Sequence, residues 1–436
     1  MTPQDATTPW GAAFLTRMWM GKSGIRWGAI LFCMGLLLRV ALVMLRTPGD
    51  VPHWETFRIA QSLATKGSYA GAFGDSGPSA HCAPLLPLLQ AIPIRMFGPT
   101  PRATLAINIM GSASSALGYA LLPTLAVASG LGIVPGIVAG LAGELIPINF
   151  MAQTSGVADA CYAFFFVNVL SIVMCRAWGA FPPRQALKTG LVMGLACLMN
   201  AGILQIFVAW AAVAALRCPL RRVVPFFGIA GLVAACVMTP WAIRNYIALG
   251  SPIFTRTNFG LELYMSNNDY MTAEESVNVK SQAFHVLHPS DSGVELARVR
   301  TLGEVAYSEG RKRQALAWIE QHKERFLALS TQRVALFWFP HMLRLWQTCL
   351  EAAMTLLALA GAIVMFRKRN PFVWPLTAAA VGYSLVYIII QTSPRYRFPV
   401  EGIILVLGSA LLDRRRPRPL HNGREPLMPF CDDKKR

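Results

Sequence analysis

The chain has 436 residues, of which 54% are hydrophobic and only 14% charged, with a mean hydropathy of +0.44. A soluble domain carries about 25% charged residues, so the composition excludes a soluble enzyme and implies an integral membrane protein. The formal net charge of +18 would suit a nucleic-acid binder, but Lys and Arg gather between apolar segments and in the tail, with no aromatic interleaving and no zinc-finger or helix-turn-helix signature. No nucleic-acid partner is expected. The nine cysteines include Cys33, Cys161, Cys197 and Cys236 inside apolar segments. No CxxC pair and no zinc-like His spacing accompanies them, so they are packing residues.

In chain order, Arg17, Lys22 and Arg26 precede an apolar run at 27–46. It is long enough to span and lacks a small-residue cleavage site after it, which reads as a retained anchor. The first outer connection, 47–103, opens on WETFRIAQSL (54–63). There Trp54, Phe57 and Ala60 or Gln61 share one helical side, and Glu55 shares another with Arg58 or Ile59 and Ser62, so the spacing predicts an interfacial helix. Glu55 and Arg58 read equally well as a solvated i,i+3 pair of little energetic worth. SGPSAHCAPLLPLL (76–89) follows, where Pro84 and Pro87 argue against a regular helix start and for a turn into a second amphipathic stretch. His81 is a candidate ligand or proton carrier, although a lone histidine is more often simply hydrogen-bonded.

Further apolar segments lie at 104–128, 131–148, 157–175, 187–200, 202–216, 223–240, 347–366, 372–391 and 398–412, making ten helices with the first. The stretch 187–216 reads as one tilted helix or as a hairpin, and basic loops at both of its ends favour the hairpin. Arg176, Arg184 and Lys188, then Arg217, Arg221 and Arg222, then Arg367, Lys368 and Arg369, and the tail with Arg414, Arg415 and Arg416 all fall on one side, which is therefore cytoplasmic. The chain divides into an N-terminal transmembrane module (1–240), an outer helical region (241–346), C-terminal transmembrane helices (347–412) and a basic tail (413–436). Within the membrane Arg39, Glu144 and Asp159 are costly unless paired or facing a cavity. Holding the bundle together is the favoured role for them, with substrate binding the alternative.

The outer region has apolar residues at three- and four-residue steps with mixed charge between them, which predicts a small helical layer on the membrane surface. At its start, in TPWAIRNYIALGSPIFTRTNFGLELYMSNN (239–268), Arg244 and Arg256 lie among aromatics and amides. Such arginines suit bidentate binding of an anionic head group, or they snorkel to phospholipid. TSPRYRFP (392–399) puts Arg395 and Arg397 in a short outer loop, against the charge rule. A phosphate or Glu401 would supply the countercharge.

Taken together, Glu55, GPSAHCAPLLP, PWAIRNY, RTNFGLELYMSNN, the HP at His288, GEVAY (303–307), RVALFWF and RYRFP resemble, in order and spacing, the membrane-embedded GT-C glycosyltransferases, specifically the protein mannosyltransferase-like group of glycosyltransferase family 39. The resemblance spans most of the chain. It implies an all-α polytopic bundle of the GT-C type, with an acidic residue of the first outer loop acting as base on a polyprenyl-phosphate-linked sugar. This sequence departs from the wider family's paired acids, since Trp54 and His53 precede Glu55. One carboxylate and one histidine make a poor cage for a hard cation, so no cofactor is expected and a divalent metal is not favoured.

The chemistry agrees with the resemblance. Nucleotide sugars stay in the cytoplasm, so an enzyme with outward polar loops needs a lipid-borne donor. A glycosyl phosphate already carries its leaving group and needs only a base and cations to receive the phosphate, whereas an ordinary glycosidic bond needs a second carboxyl as acid. Glu55 is thus the expected base, Arg244 and Arg256 the expected phosphate ligands with Arg395 and Arg397 behind them, and Arg58, His81 and Asn268 further substrate contacts. The acceptor is a hydroxyl on a glycan, lipid or protein at the outer face of a bacterial inner membrane. A transporter or flippase for an anionic lipid would show broken, charged helices in related halves, and no internal repeat is visible. A non-catalytic membrane scaffold is the third alternative.

Overall fold

The computed structural model describes residues 9–45, 51–146 and 150–414. The tail from Arg415 onward, with Arg416, lies outside the described residues. Helix α1 (Pro9–Leu45) carries the first span at Gly24–Leu45. The first outer connection folds into α2 (Glu55–Lys66) and α3 (Leu85–Phe97). Pro84 and Pro87 do not prevent a helix start, as the sequence suggests; α3 begins at Leu85, and both prolines sit at its amino end, where backbone N–H groups have no intrahelical acceptor to lose.

The bundle continues through α4 (Pro101–Ala120), α5 (Leu122–Ala128), α6 (Ile133–Leu145), α7 (Phe150–Thr154), α8 (Ala160–Ala177), α9 (Pro183–Met199), α10 (Leu204–Arg217) and α11 (Leu220–Leu249). Asn200 ends α9 in an extended conformation, and its Oδ1 accepts the Gly202 N–H at 2.8 Å, starting the 3-10 turn before α10. A Cβ on Gly190 would meet Ala230, and one on Gly194 would meet Val237 and Ala234. Helices α9 and α11 therefore lie side by side in the same direction, so α10 must return between them. The stretch 187–216 is a hairpin.

Helix α11 runs on past Pro240 into the outer region, which continues as α12 (Phe259–Ser266), α13 (Glu275–Asn278), α14 (Gln282–Leu287), α15 (Gly293–Leu302), α16 (Glu304–Gln321) and α17 (Lys323–Trp338). The chain re-enters the bundle with α18 (Leu345–Arg367), α19 (Val373–Ser384) and α20 (Val386–Ile389), and ends in α21 (Pro394–Arg397) and α22 (Glu401–Ser409). Among the described residues no strand forms; Ala70 with Pro78 and Glu274 with Thr392 make isolated bridges. Each of the ten apolar segments carries a helix among the described residues. Among the described residues five helices, Gly24–Leu45, Pro101–Ala128, Ala160–Ala177, Leu220–Leu249 and Leu345–Arg367, are long and apolar enough to cross a membrane by themselves. The protein is an all-α, multi-pass membrane bundle.

Charges inside the bundle are consumed by one another, as a low-dielectric interior requires. Buried Arg39 pairs with Glu144 and donates to Gln153 Oε1 at 3.2 Å; Gln153 donates to the Tyr119 hydroxyl, which donates to Glu401 at 2.6 Å. Arg39 and Glu144 therefore tie helices together. Asp159 takes no part in this network: it lies at the outer start of α8 and faces the cavity described next.

Candidate active site

The amphipathic α2 places its carboxylate by burying the opposite side. Phe57, Ala60 and Ala64 pack inward on that side, Ile59 is buried one turn beyond Glu55, and Gly67 ends the helix in the left-handed conformation that a residue without Cβ adopts freely (φ 65°). Glu55, the first helical residue, consequently stands at the positive end of α2 and lines a cavity of about 630 Å³. An ion pair between Glu55 and Arg58, one of the two readings of this stretch, does not form. Ser290 Oγ donates to Glu55 Oε1 at 2.8 Å instead, and the residue's own backbone N–H also donates to the carboxylate.

Two imidazoles flank this carboxylate. His81 and His288 meet the ring of Phe73 edge-on at 4.7 and 5.8 Å, and His288 stacks on Phe284 at 4.8 Å. Ser290 N–H donates to His288 Nδ1 at 3.2 Å, so the hydrogen of the neutral ring sits on Nε2. Burial pushes the Glu55 carboxyl up, but His288, His81, its own backbone N–H and Ser290 together hold it below the ordinary carboxylate range. Burial also holds both imidazoles below the usual histidine range, against the pull of nearby carboxylates. As the rings lose their protons, the backbone amide, Ser290 and the end of α2 remain to stabilise the charge. The surroundings of the group facing the cavity thus favour its carboxylate form.

Positive charge faces the same space. Arg58, Arg256 and Arg395 all line the cavity. Among the described residues neither Arg58 nor Arg256 has a hydrogen bond or ion pair, whereas Arg395 is held by Glu275 at 3.0 Å and lies over the Trp54 ring, 5.4 Å from its centroid. Burial works against the charge of Arg256, and Asp159 and Glu262 more than offset it. Asp159 accepts from Asn200 Nδ2 at 2.9 Å, and Tyr383 and Tyr387 line the wall beside them. Glu262, on α12, also lines the cavity; burial raises it to about 7 despite Arg256. Among the described residues no three His, Cys, Asp or Glu side chains converge as a metal cage.

Three residues expected at the site lie elsewhere. Arg244 donates to Tyr69 O at 2.5 Å and Ser79 O at 2.6 Å, clamping the first outer connection rather than facing the cavity. Asn268 donates to Tyr264 O and accepts from Tyr270 N–H, a local turn bond. Arg397 is buried in an ion pair with Glu351 and donates to Thr355 Oγ1; the countercharge is therefore Glu351, while Glu401 accepts from Tyr119. Conversely, His288, Ser290, Asp159, Asn200 and Glu262 join the cavity. The HP at 288 was visible as a motif but gave no role, and only the fold brings it to Glu55.

No family model matches the sequence, and no curated protein matches it. Solved structures do. The oligosaccharyltransferase AglB from Archaeoglobus fulgidus, in complex with an inhibitory peptide and a dolichol-phosphate, is similar at a TM-score of 0.51 and 14% identity, over 88% of this chain and 50% of that one. The apo form of the same organism's enzyme gives a TM-score of 0.52 at 13% identity, with 88% and 50% covered. The fold is of the GT-C type. At such identity the likeness is one of fold, and the chain spans about half the length of the structures it matches.

Proposed function

We propose that the chain is a membrane glycosyltransferase of the protein mannosyltransferase-like group of family 39, moving a sugar from a polyprenyl phosphate to an acceptor hydroxyl at the extracytoplasmic face of a bacterial inner membrane. One observation carries this reading: a carboxylate, Glu55, and a guanidinium without a hydrogen-bond partner among the described residues, Arg256, line one cavity. AglB, of the same fold, holds a dolichol-phosphate, which supports a polyprenyl phosphate as the lipid here.

In the proposed step the Glu55 carboxylate takes the proton of the acceptor hydroxyl as the hydroxyl oxygen attacks the anomeric carbon. The bond from that carbon to the phosphate oxygen breaks, with inversion, and its electron pair leaves on the phosphate. Arg256 receives that charge, with Arg58 and Arg395 nearby; preplaced cations in a partly dry cavity stabilise it without reorganisation. Ser290 and the two imidazoles hold the carboxylate in place. The test is incubation of the purified protein with a panel of polyprenyl-phosphate sugars, scoring release of polyprenyl phosphate with and without chelator. Glu55→Gln should lower release by about 10²- to 10⁴-fold while the thermal midpoint stays as in the wild type. Activity in that variant would remove Glu55 from the mechanism.

A further inference from the structure

Glu304 stands outside the cavity, yet its carboxylate reaches the chain on both sides of it. It is the first residue of α16 and only 6% exposed. Ser79 Oγ donates to Oε2 at 2.5 Å; the Ala80 N–H and Thr257 Oγ1 donate to Oε1 at 2.8 and 2.5 Å. Ser79 Oγ in turn accepts the His81 N–H at 3.0 Å. The Thr257 N–H donates to Ala80 O at 2.9 Å, closing a bridge between the two segments. Each of these bonds falls on a residue within two positions of His81 or next to Arg256. A buried carboxylate needs donors wherever it is placed; here all three come from the two segments that carry cavity groups, and none from its own helical layer.

We infer that Glu304 is a positioning residue that fixes His81, beside the base, and Arg256, the phosphate ligand, relative to each other. The inference rests on the transfer reading above. It makes the outer layer part of the machinery: α16 carries no group into the cavity but sets the separation of two that are there. The two arms differ in what they should control. The Ser79 arm bears on the base through His81, and the Thr257 arm bears on lipid phosphate through Arg256.

Ser79→Ala and Thr257→Val each delete one arm at Glu304 without changing charge. Ser79→Ala should lower kcat on the order of tenfold with the donor KM little changed, whereas Thr257→Val should raise the donor KM on the order of tenfold with kcat little changed, since sub-ångström displacement of a catalytic group is felt at this scale. Glu304→Ala should show both losses. Glu304→Gln keeps the shape and the acceptor for the Ala80 N–H, and should recover most of each. Thermal midpoints in detergent, taken on every variant, separate lost folding from lost alignment. Wild-type kinetics in the folded fraction of Ser79→Ala and Thr257→Val would overturn the inference, as would identical effects of the two on kcat and KM.

Binding of polyprenyl phosphate alone, followed by thermal shift, distinguishes the two claims. A wild type that binds the lipid phosphate but turns over no lipid-linked sugar sinks the transfer reading. In that case Thr257→Val must still weaken binding and Ser79→Ala must not, and equal binding in both overturns the positioning role. A wild type that does neither counts against both.

Discussion

Glu55 is held by opposing influences, burial against its polar neighbours, and that makes its behaviour with pH informative. A base must be ionised to work. Its environment keeps the carboxyl below the ordinary range, so kcat/KM should persist as pH falls toward 4.5 and fail only below it. The facing groups are His81, His288 and Ser290, with Arg58 and Glu262 around the same cavity. His288→Phe keeps the stack on Phe284 and the edge contact with Phe73 but removes the largest of the influences that oppose burial. The folded carboxyl must then rise, and the acid limb of kcat/KM should move to higher pH. A limb that stays where it was, measured on protein with a wild-type thermal midpoint, would show that His288 does not hold the charge of Glu55.

At the scale of elements, short outer helices are pinned by ion pairs that have no solvent to fall back on. Arg397 on α21 meets Glu351 on α18, with both side chains at most 4% exposed. Arg397→Met leaves a buried carboxylate alone and should cost about 3–5 kcal/mol. Adding Glu351→Leu should restore most of it, because a buried pair exchanged for apolar side chains is close to neutral. Thermal unfolding of the single and double variants in detergent reads the difference, and a double variant no more stable than the single would mean that the pair is not coupled. The same pair shows where sequence reading stops. Arginine beside aromatics in RYRFP has one appearance whether its partner is a ligand, a carboxylate or a backbone carbonyl, and Arg244, Arg395 and Arg397 turn out to have different ones. The helices themselves were legible, since apolar length announces each of them, and the hairpin at 187–216 followed from basic loops at both ends. The cavity was legible only by halves. Glu55, His81, Arg58, Arg256 and Arg395 stand in segments whose composition is unusual for a loop. Asp159 stands out in the sequence as an intramembrane charge but with bundle-holding as its favoured role, whereas His288, Ser290 and Glu262 acquire a role only through contacts with residues far away in the chain.

Over the whole molecule, charge and polarity sort to opposite ends. The cavity is lined from 51–58, 81–82, 157–160, 200, 256–265, 275–291 and 383–399, segments that lie at or near the connections the alternation of ten helices places outside. The basic loops holding Arg176, Arg184 and Lys188, Arg217, Arg221 and Arg222, and Arg367, Lys368 and Arg369 occupy the other connections. The distribution of Lys and Arg predicts that the cavity lies on the side opposite the basic loops, outside the cytoplasm. A flippase would instead need its polar groups at the midplane, in related halves. The assignment is open to direct measurement with single cysteines in a cysteine-free background. Lys280 and Arg221 are both exposed and belong to opposite ends. Lys280→Cys should react with an impermeant maleimide in intact cells, and Arg221→Cys only after the membrane is made permeable. The reverse pattern would put the cavity in the cytoplasm, where nucleotide sugars are at hand, and the argument for a lipid-borne donor would lose its basis.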